Sequence, residues 1–267
     1  MKNDEIKRAN RKALPKFLLF SVACMTVGGV IGYFSGYGAA TGGLYSFVGM
    51  MKEAGAFFGT HVAPWLLVAL AVILPAVCIP ICRLAKKLVA AWDGEEESTS
   101  DAVDRKLSVA MWIISAVFII SYFLIAASYS GGLAIFDDTE RTVVFFVGIV
   151  AFLVVLIEAI VLQQKCVDTV KQINPEKKAS VYDMRFQKKW MDDCDEAEKM
   201  MIGKCAFKAY AVTNKVCAVL SIVLAVCALM CDIGFLPSLT VCLVWIVNTS
   251  VYCKQAMRYS KAGNKIS

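Results

Sequence analysis

Six blocks of apolar residues, at 17–37, 64–82, 109–129, 143–162, 216–231 and 236–253, interrupt an otherwise polar chain. About 20 apolar residues in a helix cross the hydrocarbon core of a bilayer. A globular core neither needs nor usually shows such blocks. The pattern predicts an all-α, polytopic membrane helix bundle in a single domain, its six transmembrane helices arranged as three hairpins. Block 17–37 exceeds the apolar core of a cleavable signal peptide, so it is read as a retained span. Block 216–231 is short unless Lys215 snorkels outward from its start. In the last block Pro237 falls near the first helical turn, where a missing N–H costs little.

Two of the intervening segments carry their own periodicity. Between the first two blocks, Leu44, Phe47, Val48, Met51, Ala54 and Phe58 recur at helical spacing, which predicts a short helix lying in the interface. In the long polar segment 163–214, Phe186, Trp190, Cys194, Ala197, Met201 and Cys205 follow a 3/4 spacing, with Lys188, Lys189, Asp192, Asp193 and Glu198 between them. That predicts an amphipathic cytoplasmic helix before the fifth span, lying on the inner leaflet or packing on a partner protein. Asn174-Pro175 marks the break ahead of it. The acidic, Ser-rich stretch from Asp93 to Asp101 reads as a solvated linker between two helix ends.

Composition agrees: 58% of the 267 residues are hydrophobic and 19% charged, more apolar and less charged than a soluble domain. A net charge of +6 raises the question of nucleic acid, and its distribution answers it. Of the 28 Lys and Arg residues, all but Lys52 and Arg141 fall in the N-terminal tail, the segments after the second and fourth blocks, or the C-terminal tail. An asymmetry that alternates with each crossing places both termini in the cytoplasm. The cations border the spans on the side where anionic headgroups attract them, so the partner is the lipid bilayer and no nucleic acid is expected.

Candidate chemistry is sparse. Glu158 is the acidic residue set well inside a block, about one turn from its end, and is a candidate for holding a cation, a proton or a cationic substrate group. The competing reading is a carboxylate that pairs with Lys165 or Arg83, or reaches the headgroups. Gly28, Gly32 and Gly36 repeat at i+4 and predict a tight helix–helix seam rather than a gating hinge. Pro75 and Pro80 are expected to kink the second span. Asn248, Thr249 and Ser250 can hydrogen-bond across helices. The eleven cysteines form no CxxC pair and read as reduced packing residues. With His61 the sole histidine, and neither HExxH nor GxxxxGK[ST], no metal, cofactor or enzymatic activity is expected.

Two stretches carry a family resemblance: Asn10-Arg-Lys-Ala-Leu-Pro-Lys-Phe17, and Val181-Tyr-Asp-Met-Arg-Phe-Gln-Lys-Lys-Trp190 with Cys194-Asp-Glu-Ala-Glu-Lys199 and Ile202-Gly-Lys-Cys-Ala-Phe-Lys-Ala-Tyr210. With the six-block layout they resemble a family of Gram-positive bacterial six-span membrane proteins known as a domain of unknown function. The resemblance implies a bacterial plasma membrane and a single domain, and carries no active site. The leading expectation is a transport-related or accessory component, permease-like, whose Phe186–Met201 helix docks a separate ATPase subunit or self-associates. The alternative is a sensor or immunity-type protein whose acidic outer surface (Glu53, Asp137, Asp138, Glu140, Asp232) meets cationic peptides.

Overall fold

Inside a bilayer the backbone has no water to bond, so each crossing must satisfy its own amides, and helices do so. The computed structural model describes residues 43–92, 97–231 and 233–261, together with scattered residues between 14 and 38 that are all helical. No strand occurs among the described residues. The elements are α1 (Gly43–Phe57), a π-helical turn (Phe58–Val62), α2 (Ala63–Ala91), α3 (Glu97–Ser128), a 3-10 segment (Tyr129–Asp137), α4 (Thr139–Ile173), α5 (Phe186–Asp192), α6 (Glu196–Cys231) and α7 (Leu236–Lys261). Among the described residues five helical stretches are long and apolar enough to cross a membrane. Block 17–37 is described only in part, and its described residues are helical.

Local chemistry sets the ends. Pro64 stands in the first turn of α2. Asp138 caps α4 by accepting the Glu140 N–H at 3.0 Å and pairs with Arg141 at 3.4 Å. Gly234 takes a positive φ of 69° in the turn before α7. At the start of α6, Asp195 Oδ1 accepts the Glu198 N–H at 2.7 Å while Glu198 Oε2 accepts the Asp195 N–H at 3.3 Å, a reciprocal capping box.

That box corrects the predicted amphipathic helix. It is two helices, broken at residues 193–195, and Met201 belongs to the same helix as the fifth apolar block. α6 is 36 residues long, about 54 Å, so the shortness of block 216–231 is no obstacle. The interfacial helix is corrected likewise: α1 runs through the π-helical turn directly into α2. α2 remains helical through Pro75 and Pro80.

By contacts the chain forms two units, residues 52–207 and residues 1–51 with 208–267. In the larger unit α2, α3 and α4 pack as a three-helix bundle. Its core takes Leu74, Cys78, Cys82 and Ala85 from α2, Val103, Leu107, Ala110 and Ile114 from α3, and Val155, Ala159, Leu162 and Cys166 from α4. Small residues in these rows let the backbones approach, the packing expected where lipid removes the hydrophobic drive between helices. Val72, Ile73, Ile119, Phe123, Val150 and Ile157 point outward, as lipid-facing residues do. In the smaller unit Asn248 Nδ2 donates to Asn214 Oδ1 at 3.3 Å, and the Tyr210 and Tyr252 rings stack at 4.3 Å. The cross-helix bond expected of Asn248 is made there.

Candidate functional site

All three bundle helices outrun their apolar blocks at the basic end. α4 continues from Leu162 to Ile173, and α3 begins at Glu97, well ahead of Val109. α4 stops at Asn174, whose N–H still reaches Val170 O at 2.9 Å before Pro175. The chain then folds back as a loop held by two side chains. Gln164, 8% exposed, accepts the Ser180 hydroxyl at 3.1 Å and the Val181 N–H at 2.8 Å, and donates to Asp168 at 2.7 Å. Asp193 Oδ2 accepts the N–H groups of Lys178 and Ala179 at 2.7 and 3.2 Å. A buried amide with both ends satisfied fixes a loop more firmly than apolar contact, because any slippage leaves polar groups unpaired.

This loop turns Lys177 inward. Its side chain is 6% exposed, its ammonium pairs with Glu198, and it stands 4.9 Å from the centroid of the Trp190 ring. Asp104 on α3 lines the same cavity, and its charge interacts with both Lys177 and Glu198. The cavity holds about 420 Å³, with Leu107, Met111, Val167, Phe186, Trp190 and Met201 supplying apolar walls. A ring face and two carboxylates around an ammonium make a cation cage. Here the chain's own lysine fills it, tying the loop to α3, α5 and α6. Cys194 beside it donates to Trp190 O at 3.1 Å, and burial together with Glu198 pushes its thiol up, so it is not an activated nucleophile. At the loop's outer edge, the bond from Lys189 and the Arg185 N–H hold the Asp183 carboxyl below the usual carboxylate range.

The predicted residues fare unequally. Phe186, Trp190 and Met201 do share a surface, and it faces this cavity. Glu158 sits half-buried on α4 away from it. Its Oε2 is enclosed and has no hydrogen-bond partner among the described residues, and neither Lys165 nor Arg83 pairs with it there. No described atom comes within 4 Å of where a Cβ would stand at Gly28 or Gly32, and Gly36 lies outside the described residues. Among the described residues the close glycine approaches are at Gly148 and Gly59. A Cβ on Gly148 would meet Pro64 Cβ at 3.0 Å, and one on Gly59 would meet Ala127 O at 2.1 Å. Of the cysteines, Cys78, Cys82, Cys166, Cys194 and Cys217 are buried packing residues, whereas Cys205, Cys242 and Cys253 are exposed.

Lys177 and Asp104 in the cavity's charged centre, and Gln164 that holds the loop, escape a reading by hydropathy. The pattern Asp195-Glu-Ala-Glu198 was an available signal, since Asp followed three residues later by Glu opens a helix. A family model described as Protein of unknown function (DUF3169) matches residues 10–256. No curated protein and no solved structure matches the chain.

Proposed function

The chain belongs to the DUF3169 family, and from that premise we propose that it is a non-enzymatic accessory component of a transport system in the bacterial plasma membrane. In this reading it crosses six times with both termini in the cytoplasm, and its tip, residues 174–202, receives a soluble partner, an ATPase subunit. The observation that carries the reading is the pair Tyr182 and Met184, 65% and 102% exposed on a loop that Gln164 and Asp193 hold in place. α4 runs on past Leu162 to Ile173, and the loop then folds back until the Val181 N–H meets Gln164, two residues beyond Leu162. Exposed apolar side chains on a loop fixed in this way suit a protein partner. In this reading the stripe of Phe186, Trp190 and Met201, which lines the cavity, stiffens the platform.

A photo-reactive amino acid at Met184 is expected to cross-link an ATP-hydrolysing subunit in native membranes, and one at lipid-facing Val150 is not. Cross-links at Met184 to further copies of this chain would establish self-association instead. Absence of any protein cross-link at Met184 would remove the docking reading. For the orientation, reporters fused after Lys52, Asp138 and Gly234 are all expected to read as external, and one cytoplasmic signal among them breaks it. The sensor reading draws less support, because Asp138 is already engaged with Glu140 and Arg141.

A further inference from the structure

We propose that a notch between α2 and α4, where their apolar stretches end, binds the phosphate headgroup of an anionic diacyl phospholipid. The notch holds about 220 Å³ and is lined by Ile79, Cys82, Arg83, Lys86, Leu162 and Lys165. Its register is fixed by the core: Cys82 and Cys166 are both buried with their sulfurs 3.5 Å apart, which sets their chain neighbours Arg83 and Lys165 at one height on two helices. Lys86 follows Arg83 by about one turn on α2.

Three cations thus converge on one recess with no carboxylate in its lining. Among the described residues none of the three takes part in an ion pair. Like charges brought together and left unneutralised repel one another, and an anion between them reverses that term. The guanidinium presents a fork that fits two phosphate oxygens, and the ammonium groups add point charges. Depth selects the source of the phosphate. Cys82 and Leu162 end the apolar blocks, so the cations stand at headgroup level, while Ile79 and Leu162 continue the recess toward the hydrocarbon. A free phosphate would use the cations and leave that apolar floor empty. A phospholipid uses both, with its acyl chains along the outward-facing surface of the helices. The site rests on the membrane-spanning reading of α2 and α4, and does not depend on which side faces the cytoplasm or on what docks at the tip.

The test uses the full chain, delipidated in an uncharged detergent and mixed with equal amounts of phosphatidylglycerol and phosphatidylcholine of matched acyl chains. Native mass spectrometry is expected to show phosphatidylglycerol retained more than about tenfold over phosphatidylcholine. Substituting Arg83→Gln, Lys86→Gln and Lys165→Gln together should bring the two lipids to parity. The same loss of charge at Lys178→Gln, Lys188→Gln and Lys204→Gln should leave the preference intact. Parity in the unmodified chain, or equal losses in the two triple variants, overturns the proposal. Displacement of the lipid by excess inorganic phosphate would assign the notch to free phosphate and overturn it as well. Should the first triple variant not fold, Lys165→Gln alone is expected to lower the preference about fivefold, and no change there is equally decisive. A failed reporter-fusion topology would leave this detergent measurement standing, so the two failures are distinguishable.

Discussion

Gly59→Ala is expected to lower the stability of the larger unit by about 3 kcal/mol or more, the largest loss from any single added methyl group here. The added Cβ would stand 2.1 Å from both Ala127 O and Ser130 Oγ. The serine hydroxyl can rotate away, giving up a long bond to Gly55 O at 3.4 Å. The carbonyl cannot, because it belongs to the backbone of α3. Relief requires moving α3 away from the π-helical turn, and that movement would open the smaller core cluster, where Ala63 and Leu67 meet Leu124 and Ile125. Gly49→Ala is the matched control, since its Cβ meets nothing within 4 Å. It should change stability by less than about 0.5 kcal/mol. Thermal unfolding in mild detergent reads both, and a Gly59→Ala midpoint equal to that of Gly49→Ala would refute the close approach.

The two glycine results also show where hydropathy and spacing stop being informative. A row such as Gly28, Gly32 and Gly36 shows where side chains are missing. It does not show what backbone comes near. Gly148 is isolated in sequence and tight in space, because the approach is made by Pro64, 84 positions away in the chain, and no local pattern carries that. Gly59 does follow Gly55 at i+4, a spacing that was there to read, but the residue it meets, Ala127, is 68 positions away. The apolar blocks were legible for the opposite reason. Lipid solvates each helix separately, so composition alone marks them, and the five described helices of sufficient length fall on the blocks from 64 onward. What composition hides is how far a helix continues once it leaves the lipid. The ends of α2, α3 and α4 are polar enough to resemble linkers, yet they extend the same bundle through Ala85, Val103 and Cys166. The amphipathic stripe from Phe186 to Met201 was visible and its surface real. Its occupant was not, since a 3/4 spacing marks an apolar face without saying whether lipid, a partner or the chain itself covers it.

Lys177→Met is expected to destabilise the tip by about 2–3 kcal/mol, and Glu198→Gln by less, whereas the two together should return most of the loss. A buried pair broken from one side leaves an uncompensated charge, which costs more than the pair itself contributes. The figure is set below the fully buried range because Glu198 is 31% exposed and partly solvated. The asymmetry follows from the cage. With Glu198 neutral, Lys177 keeps the Trp190 face at 4.9 Å and the charge of Asp104. With Lys177 gone, Glu198 and Asp104 face one cavity with no cation between them. In the double variant methionine continues the apolar wall of Met111 and Met201, and the glutamine can still accept the Asp195 N–H that its parent capped. The cycle is read by thermal unfolding and by the fluorescence of Trp190, which should shift to the red when the loop releases. Additive losses would mean that the lysine and the carboxylate act independently and that the loop is held by Gln164 and Asp193 alone. A coupling of about 1 kcal/mol or more identifies Lys177 as the internal cation that stiffens the platform. The Met184 cross-link should then weaken in Lys177→Met and recover in the double variant, which ties the loop's order to docking.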